Sequence, residues 1–100
     1  MAKKRDQKEQ KEMAGDYEVL QKMRLGGKVL IFGHNPNDAE APYMTCYQQP
    51  GFWGGYMYPE AVGSTDYFEI MQTFLSRLQE QAKVVEKFRE ERKIPIVTLN

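Results

Sequence analysis

Two runs of side chains, "DYEVLQKMRL" and "KVLIFGH", flank the pair Gly26–Gly27. A two-residue loop between strands needs positive φ at its central positions, which glycine adopts without steric cost. The pattern therefore predicts a hairpin. Counting outward from the turn sets Leu25 opposite Lys28, Met23 opposite Leu30, Gln21 opposite Phe32 and Val19 opposite His34 on one face. The other face then carries Leu20, Lys22 and Arg24 beside Val29, Ile31 and Gly33. A helical stripe through Val19, Leu20, Met23 and Arg24 competes over residues 16–25. The glycine pair favours the hairpin.

"NPNDAEAP" is a run of loop-formers that ends the second strand. "YMTCYQQ" alternates as a third strand, and "GGYMY" opens a fourth, with "PGFW" at the connection. Pro59 and Gly63 break the sheet pattern ahead of a helix. Asp66 with Glu69 three residues later resembles a capping box, aspartate replacing the usual hydroxyl residue. Tyr67, Ile70, Met71, Phe74, Leu75, Leu78, Ala82, Val85 and Phe88 follow at helical spacing. Pro95 stops that helix at about Lys93. "IPIVTL" then reads as a short extended tail, suited to an edge because its proline sits near the start.

The predicted fold is α+β: a four-stranded antiparallel β-meander packed against one long C-terminal α-helix. Residues 1–14 are expected to be a flexible charged tail or a solvated helix, and residues 15–100 a single α+β domain. In the tail, Lys3, Lys4, Arg5, Lys8 and Lys11 are interspersed with Asp6, Glu9 and Glu12, and no strong hydrophobe lies between residues 2 and 12. That composition cannot bury enough surface to fold alone.

Length adds an inference about assembly. A helix from Tyr67 to Lys93 runs about 40 Å, whereas strands of this size span roughly 20–30 Å. The helix should overhang its sheet or bend, leaving Val85 and Phe88 in need of cover. One helix also covers only one sheet face, and the other keeps Leu20, Val29 and Ile31. Surplus apolar surface in two places predicts a homodimer. The N-terminal segment folding back is the alternative cover.

Composition narrows the partners. Fourteen Lys and Arg balance fourteen Asp and Glu over 100 residues, so no global field draws the chain to nucleic acid or anionic lipid. The longest apolar run, "VLIF", is far too short to span a membrane. No apolar run follows the basic start, as a secretory signal would require. A lone Cys46 fits a reducing compartment, and a cytoplasmic location is expected.

Little in the sequence points to catalysis. His34, Asp38 and Glu40 lie close together, but their spacing matches no metal signature, and a turn built on "HNPND" accounts for them. Cys46 with His34 is the one Cys–His combination, yet a mid-strand cysteine is usually a small buried hydrophobe. The glycine groups lack P-loop spacing. No metal, cofactor or catalytic residue is expected.

The aromatic stretch "YMTCYQQPGFWGGYMYPE" carries the strongest functional signal. Tyr43 and Tyr47 share one strand face, Tyr56 and Tyr58 share a face on the next, and Phe52 and Trp53 occupy the connection. These six are the candidate binding residues. The expected function is a small non-catalytic binding or adaptor protein that self-associates and engages a protein partner through this aromatic hairpin. The alternative is a single-stranded nucleic-acid binder, stacking bases on the sheet aromatics with Lys22, Arg24 and Lys28 nearby. In order of elements, the predicted chain resembles the transcriptional-coactivator and Whirly-type single-strand binders, a likeness of topology without a shared motif.

Overall fold

The computed structural model describes residues 11–92. The expectations for residues 1–10 and for the "IPIVTL" tail lie outside that range. Six strands and one helix follow in order: β1 (Met13–Ala14), β2 (Tyr17–Leu25), β3 (Lys28–His34), β4 (Tyr43–Pro50), β5 (Tyr56–Met57), β6 (Val62–Ser64) and α1 (Tyr67–Arg92). Every pairing is antiparallel, in the order β1-β2-β3-β4, and both β5 and β6 line the outer edge of β4.

The chain is thus α+β with an antiparallel sheet and one long C-terminal helix, but the sheet is not a plain four-strand meander. The expected fourth strand is split. Tyr56 and Met57 pair with Pro50 and Gln49, and Val62–Ser64 resume the edge against Thr45, Met44 and Tyr43. Between the two pieces the Tyr47 N–H donates to the Pro59 carbonyl at 3.1 Å, and Glu60 turns the backbone at φ 58°. Proline has no N–H to donate to a ladder, which interrupts the strand there without ending the edge. Gly63 sits inside β6 rather than breaking the sheet. A Cβ there would stand 2.8 Å from that of Ala41.

The N-terminal boundary also moves. Met13 and Ala14 pair with Glu18 and Tyr17 across a turn in which Gly15 has φ 64°. Ala14 is buried, the Val19 N–H donates to the Glu12 carbonyl at 2.9 Å, and Lys22 meets Glu12 at 2.7 Å. The end of the expected charged tail is therefore an edge strand.

The β2–β3 hairpin keeps the predicted register from Leu25↔Lys28 to Gln21↔Phe32, then departs from it. A bulge at Leu20 places Val19 opposite Gly33 instead of His34. Inserting one residue moves everything beyond it to the other face. Val19 accordingly joins the far-side core, and Leu20, the residue left over, is half exposed.

Two cores result, one on each side of the sheet. On the helix side Leu30 and Phe32 pack with Ile70 and Phe74, flanked by Tyr43, Tyr47, Met71 and Leu78. On the far side Ile31, Met44, Cys46 and Ala14 pack with Tyr17, Val19 and Tyr58. No helix covers that side among the described residues; the sheet curls over itself. In a flat sheet Tyr58, beyond β4, would lie about 19 Å from β1, more than a tyrosine can reach. Yet its hydroxyl stands 3.5 Å from the Met13 carbonyl. Tyr17 closes the other end, its hydroxyl donating to the Ala41 carbonyl at 2.6 Å and to Asp38 at 3.2 Å. The far face therefore keeps little of its expected surplus: Ile31 is fully buried and Val29 partly so.

The helix begins on a relay rather than a simple capping box. Asp66 Oδ1 accepts from the N–H groups of Phe68 and Glu69. Its own N–H donates to Ser64 Oγ, which donates to Glu69 Oε1 at 2.8 Å. From there α1 runs from the Phe32–Tyr43 end of the sheet to the Gly26 turn, where Gln81 Nε2 donates to the carbonyls of Leu25 and Gly26. Val85 packs on that same turn. The stretch from Tyr67 to Val85 covers about 27 Å at helical rise, the length of the hairpin beneath it. Val85 thus finds its cover within the chain.

Candidate binding site at the hairpin tip

The sequence Gly51–Phe52–Trp53–Gly54–Gly55 joins β4 to β5. The Gly51 N–H donates to the Gly55 carbonyl at 3.0 Å, and the Gly54 N–H points back to the Gly51 carbonyl at 3.5 Å. Phe52 and Trp53 are therefore the two central residues of the turn, framed by glycines. Gly54 and Gly55 have φ of 99° and 66°, which most side chains resist. A Cβ on Gly51 would lie 2.9 Å from the Gly54 carbonyl oxygen. The glycines are what allow so tight a tip, and the tip holds two large rings out of reach of the cores. Phe52 is 93% and Trp53 97% exposed. Their rings face each other at 6.4 Å, tilted by 57°.

The other four candidate residues are not on one surface with them. Tyr43 lies under the start of α1, stacked on His34 at 5.1 Å and meeting the edge of Tyr67 at 5.4 Å. Tyr47 also faces the helix, with the Lys28 ammonium and the Arg77 guanidinium each 5.1 Å from its ring centroid. One guanidinium nitrogen, Arg77 Nη1, is buried without an acceptor among the described residues. Tyr58 belongs to the far-side core. Tyr56, opposite Pro50 in register, is 61% exposed and lies at the base of the tip. The structure thus groups Tyr56 with Phe52 and Trp53 and assigns Tyr43, Tyr47 and Tyr58 to packing. Of the three cations expected beside the tyrosines, only Lys28 meets one; Lys22 and Arg24 pair with Ile31 and Val29 on the opposite face.

The candidate chemical groups are separated. Cys46 pairs with Ile31 and His34 with Tyr43, three register positions apart, or about 10 Å. They also face opposite sides, since Cys46 lies in the far-side core and His34 stacks on Tyr43 beneath the helix. Burial pushes the Cys46 thiol up to about 11, against a weaker pull from the Arg77 charge, so it stays protonated at neutral pH. Asp38 accepts from the N–H groups of Ala41 and Glu40 and from the Tyr17 hydroxyl, and these bonds hold its carboxyl below the usual range. It organises its loop. Among the described residues no three His, Cys, Asp or Glu side chains converge as a metal site, and no helix is long and apolar enough to cross a membrane.

One feature the pattern did not announce is a groove of about 770 Å³ between β2 and α1. Met23 and Leu25 form one wall, and Leu75, Leu78 and Ala82 the other. It exists because α1 lies over β3 and β4 and leaves the neighbouring strand half bare. Met23 is 48% and Leu75 51% exposed. A lone helical stripe does not say which strands it will sit on, so the sequence gives no direct sign of the groove. Phe68, 74% exposed at the first turn of α1, does carry a sign in the sequence: a large ring lying off the apolar stripe.

The fold and its exposed tip define a small α+β protein with an antiparallel sheet backed by a single long helix. Compared with known protein families, curated proteins and solved structures, the chain matches no family model, no curated sequence and no known structure.

Proposed function

We propose that this protein is a small non-catalytic binding or adaptor module that self-associates and anchors its contacts through the Phe52–Trp53 tip. The observation that carries this reading is the near-complete exposure of both rings on a turn framed by glycines. Large aromatics left in water forgo roughly 1.5–3 kcal/mol each in burial energy. Side chains of this type dominate binding energy where they enter a partner's pocket. Each has only two side-chain torsions to immobilise, so ordering them costs less than ordering long flexible chains.

Sedimentation velocity on the wild type and on the Phe52→Ser/Trp53→Ser variant tests this. The wild type is expected to dimerise at micromolar concentration and the variant to remain monomeric, with the same far-UV circular dichroism. A wild type that is monomeric at high micromolar concentration overturns self-association. The nucleic-acid alternative has its own readout, because Trp53 is the only tryptophan. Quenching by a mixed-sequence oligonucleotide at low salt, reversed as salt rises, would replace the protein-binding reading with that one.

A further inference from the structure

Among the described residues Phe52 and Trp53 are the most exposed large hydrophobic side chains, and an open, largely apolar groove lies between β2 and α1 of the same chain. We propose that the groove between β2 and α1 receives the Phe52–Trp53 tip of a second copy, and that two reciprocal contacts close a twofold dimer. This rests on the reading of the tip as a binding anchor and adds its receptor.

Charge is the first argument. The groove lining contains no ionisable side chain; its polar members are glutamine and serine only. The tip from Pro50 to Tyr56 is likewise uncharged. Neither surface would leave an unpaired charge on burial. Size is the second. Phe and Trp side chains bury about 150–250 Å² each, so one inserted tip loses roughly 300–500 Å² and, with the smaller area of the groove wall, one contact removes roughly 450–650 Å² from water. A single contact falls well short of the roughly 1,200 Å² at which stable interfaces begin, and two together come to its lower edge. Reciprocity therefore follows from area, and a twofold axis supplies it.

Direct pairing of β2 with a second β2 is the competing use of this region. Among the described residues no strand pairs with the outer edge of β2 beyond Val19. A twofold pairing centred on Met23 would set Lys22 of each copy against Arg24 of the other. Like charges opposite one another disfavour that pairing, and edge lysines commonly block it. The tip carries no such penalty.

The test uses two variants of the full chain. Phe52→Ser/Trp53→Ser removes the tip and keeps the groove; Leu75→Asp spoils the groove and keeps the tip. Leu75 is half exposed, so folding should survive, and Met23→Asp is the substitute if it does not. Each variant alone is expected to sediment as a monomer. Mixed, they should form a heterodimer through one tip-in-groove contact, at least about tenfold weaker than the wild-type dimer because avidity is lost. Trp53, present only on the groove variant, should shift its emission to the blue on mixing. A groove variant that dimerises like the wild type overturns this inference while leaving the tip as anchor. A tip variant that dimerises overturns both. Oligomers that grow without limit contradict the closed twofold arrangement.

Discussion

The Gly26–Gly27 turn and the Gly51–Gly55 turn stand at the same end of the sheet, because Val29 of β3 pairs with Gln48 of β4. Both depend on glycines at positive φ. Their surroundings differ completely. The first turn is pinned by Val85 against Gly26 and by the hydrogen bonds from Gln81 to the carbonyls of Leu25 and Gly26, whereas the second turn lifts two aromatic rings into water. Similar local chemistry thus serves packing in one turn and display in the other. The difference is set by where α1 lies, not by the turns.

Four substitutions probe that contrast, in decreasing order of effect on stability. Gly26→Ala should cost about 2–4 kcal/mol, because the new Cβ would run into Val85 Cγ2 and occupy a left-handed backbone. Adding Val85→Ala should recover part of the loss in denaturant titrations; no recovery would mean backbone strain alone is responsible. Gln81→Leu should cost about 1–3 kcal/mol by leaving the carbonyls of Leu25 and Gly26 without their side-chain donor. Gly54→Ala, where a Cβ meets nothing within 4 Å, should cost only the conformational penalty of about 1–2 kcal/mol. Phe52→Ser/Trp53→Ser should change monomer stability by less than about 0.5 kcal/mol. A larger loss would assign the tip to packing and erase the contrast.

Much of the frame was legible in the sequence. Gly26–Gly27 fixed the hairpin and its first rungs, and the stripe from Tyr67 to Phe88 with Asp66 before it located the helix. The bulge at Leu20 was not legible, since two adjacent apolar residues, Val19 and Leu20, suit either face and no glycine marks the irregularity. Pro59 resembles a strand end in the sequence, and in the fold it only interrupts the edge. The curl that brings Tyr58 to Met13 is a property of the whole sheet, and Ile31 lies fully buried on the face it closes. At the candidate site the sequence singled out Phe52 and Trp53 correctly as residues of the connection. It could not separate Tyr56 from Tyr43, Tyr47 and Tyr58, whose burial depends on neighbours distant along the chain. The groove was invisible for the same reason: it records the sideways position of a helix.

The most direct test of the tip as the self-association anchor is the emission spectrum of Trp53 across a dilution series. The wild type should emit as a water-exposed indole when dilute and shift to the blue as concentration rises, with the same midpoint as dimer formation by sedimentation. A dimer whose Trp53 emission stays at the exposed position would contradict the account, since the rings would then remain in water while the copies associate elsewhere.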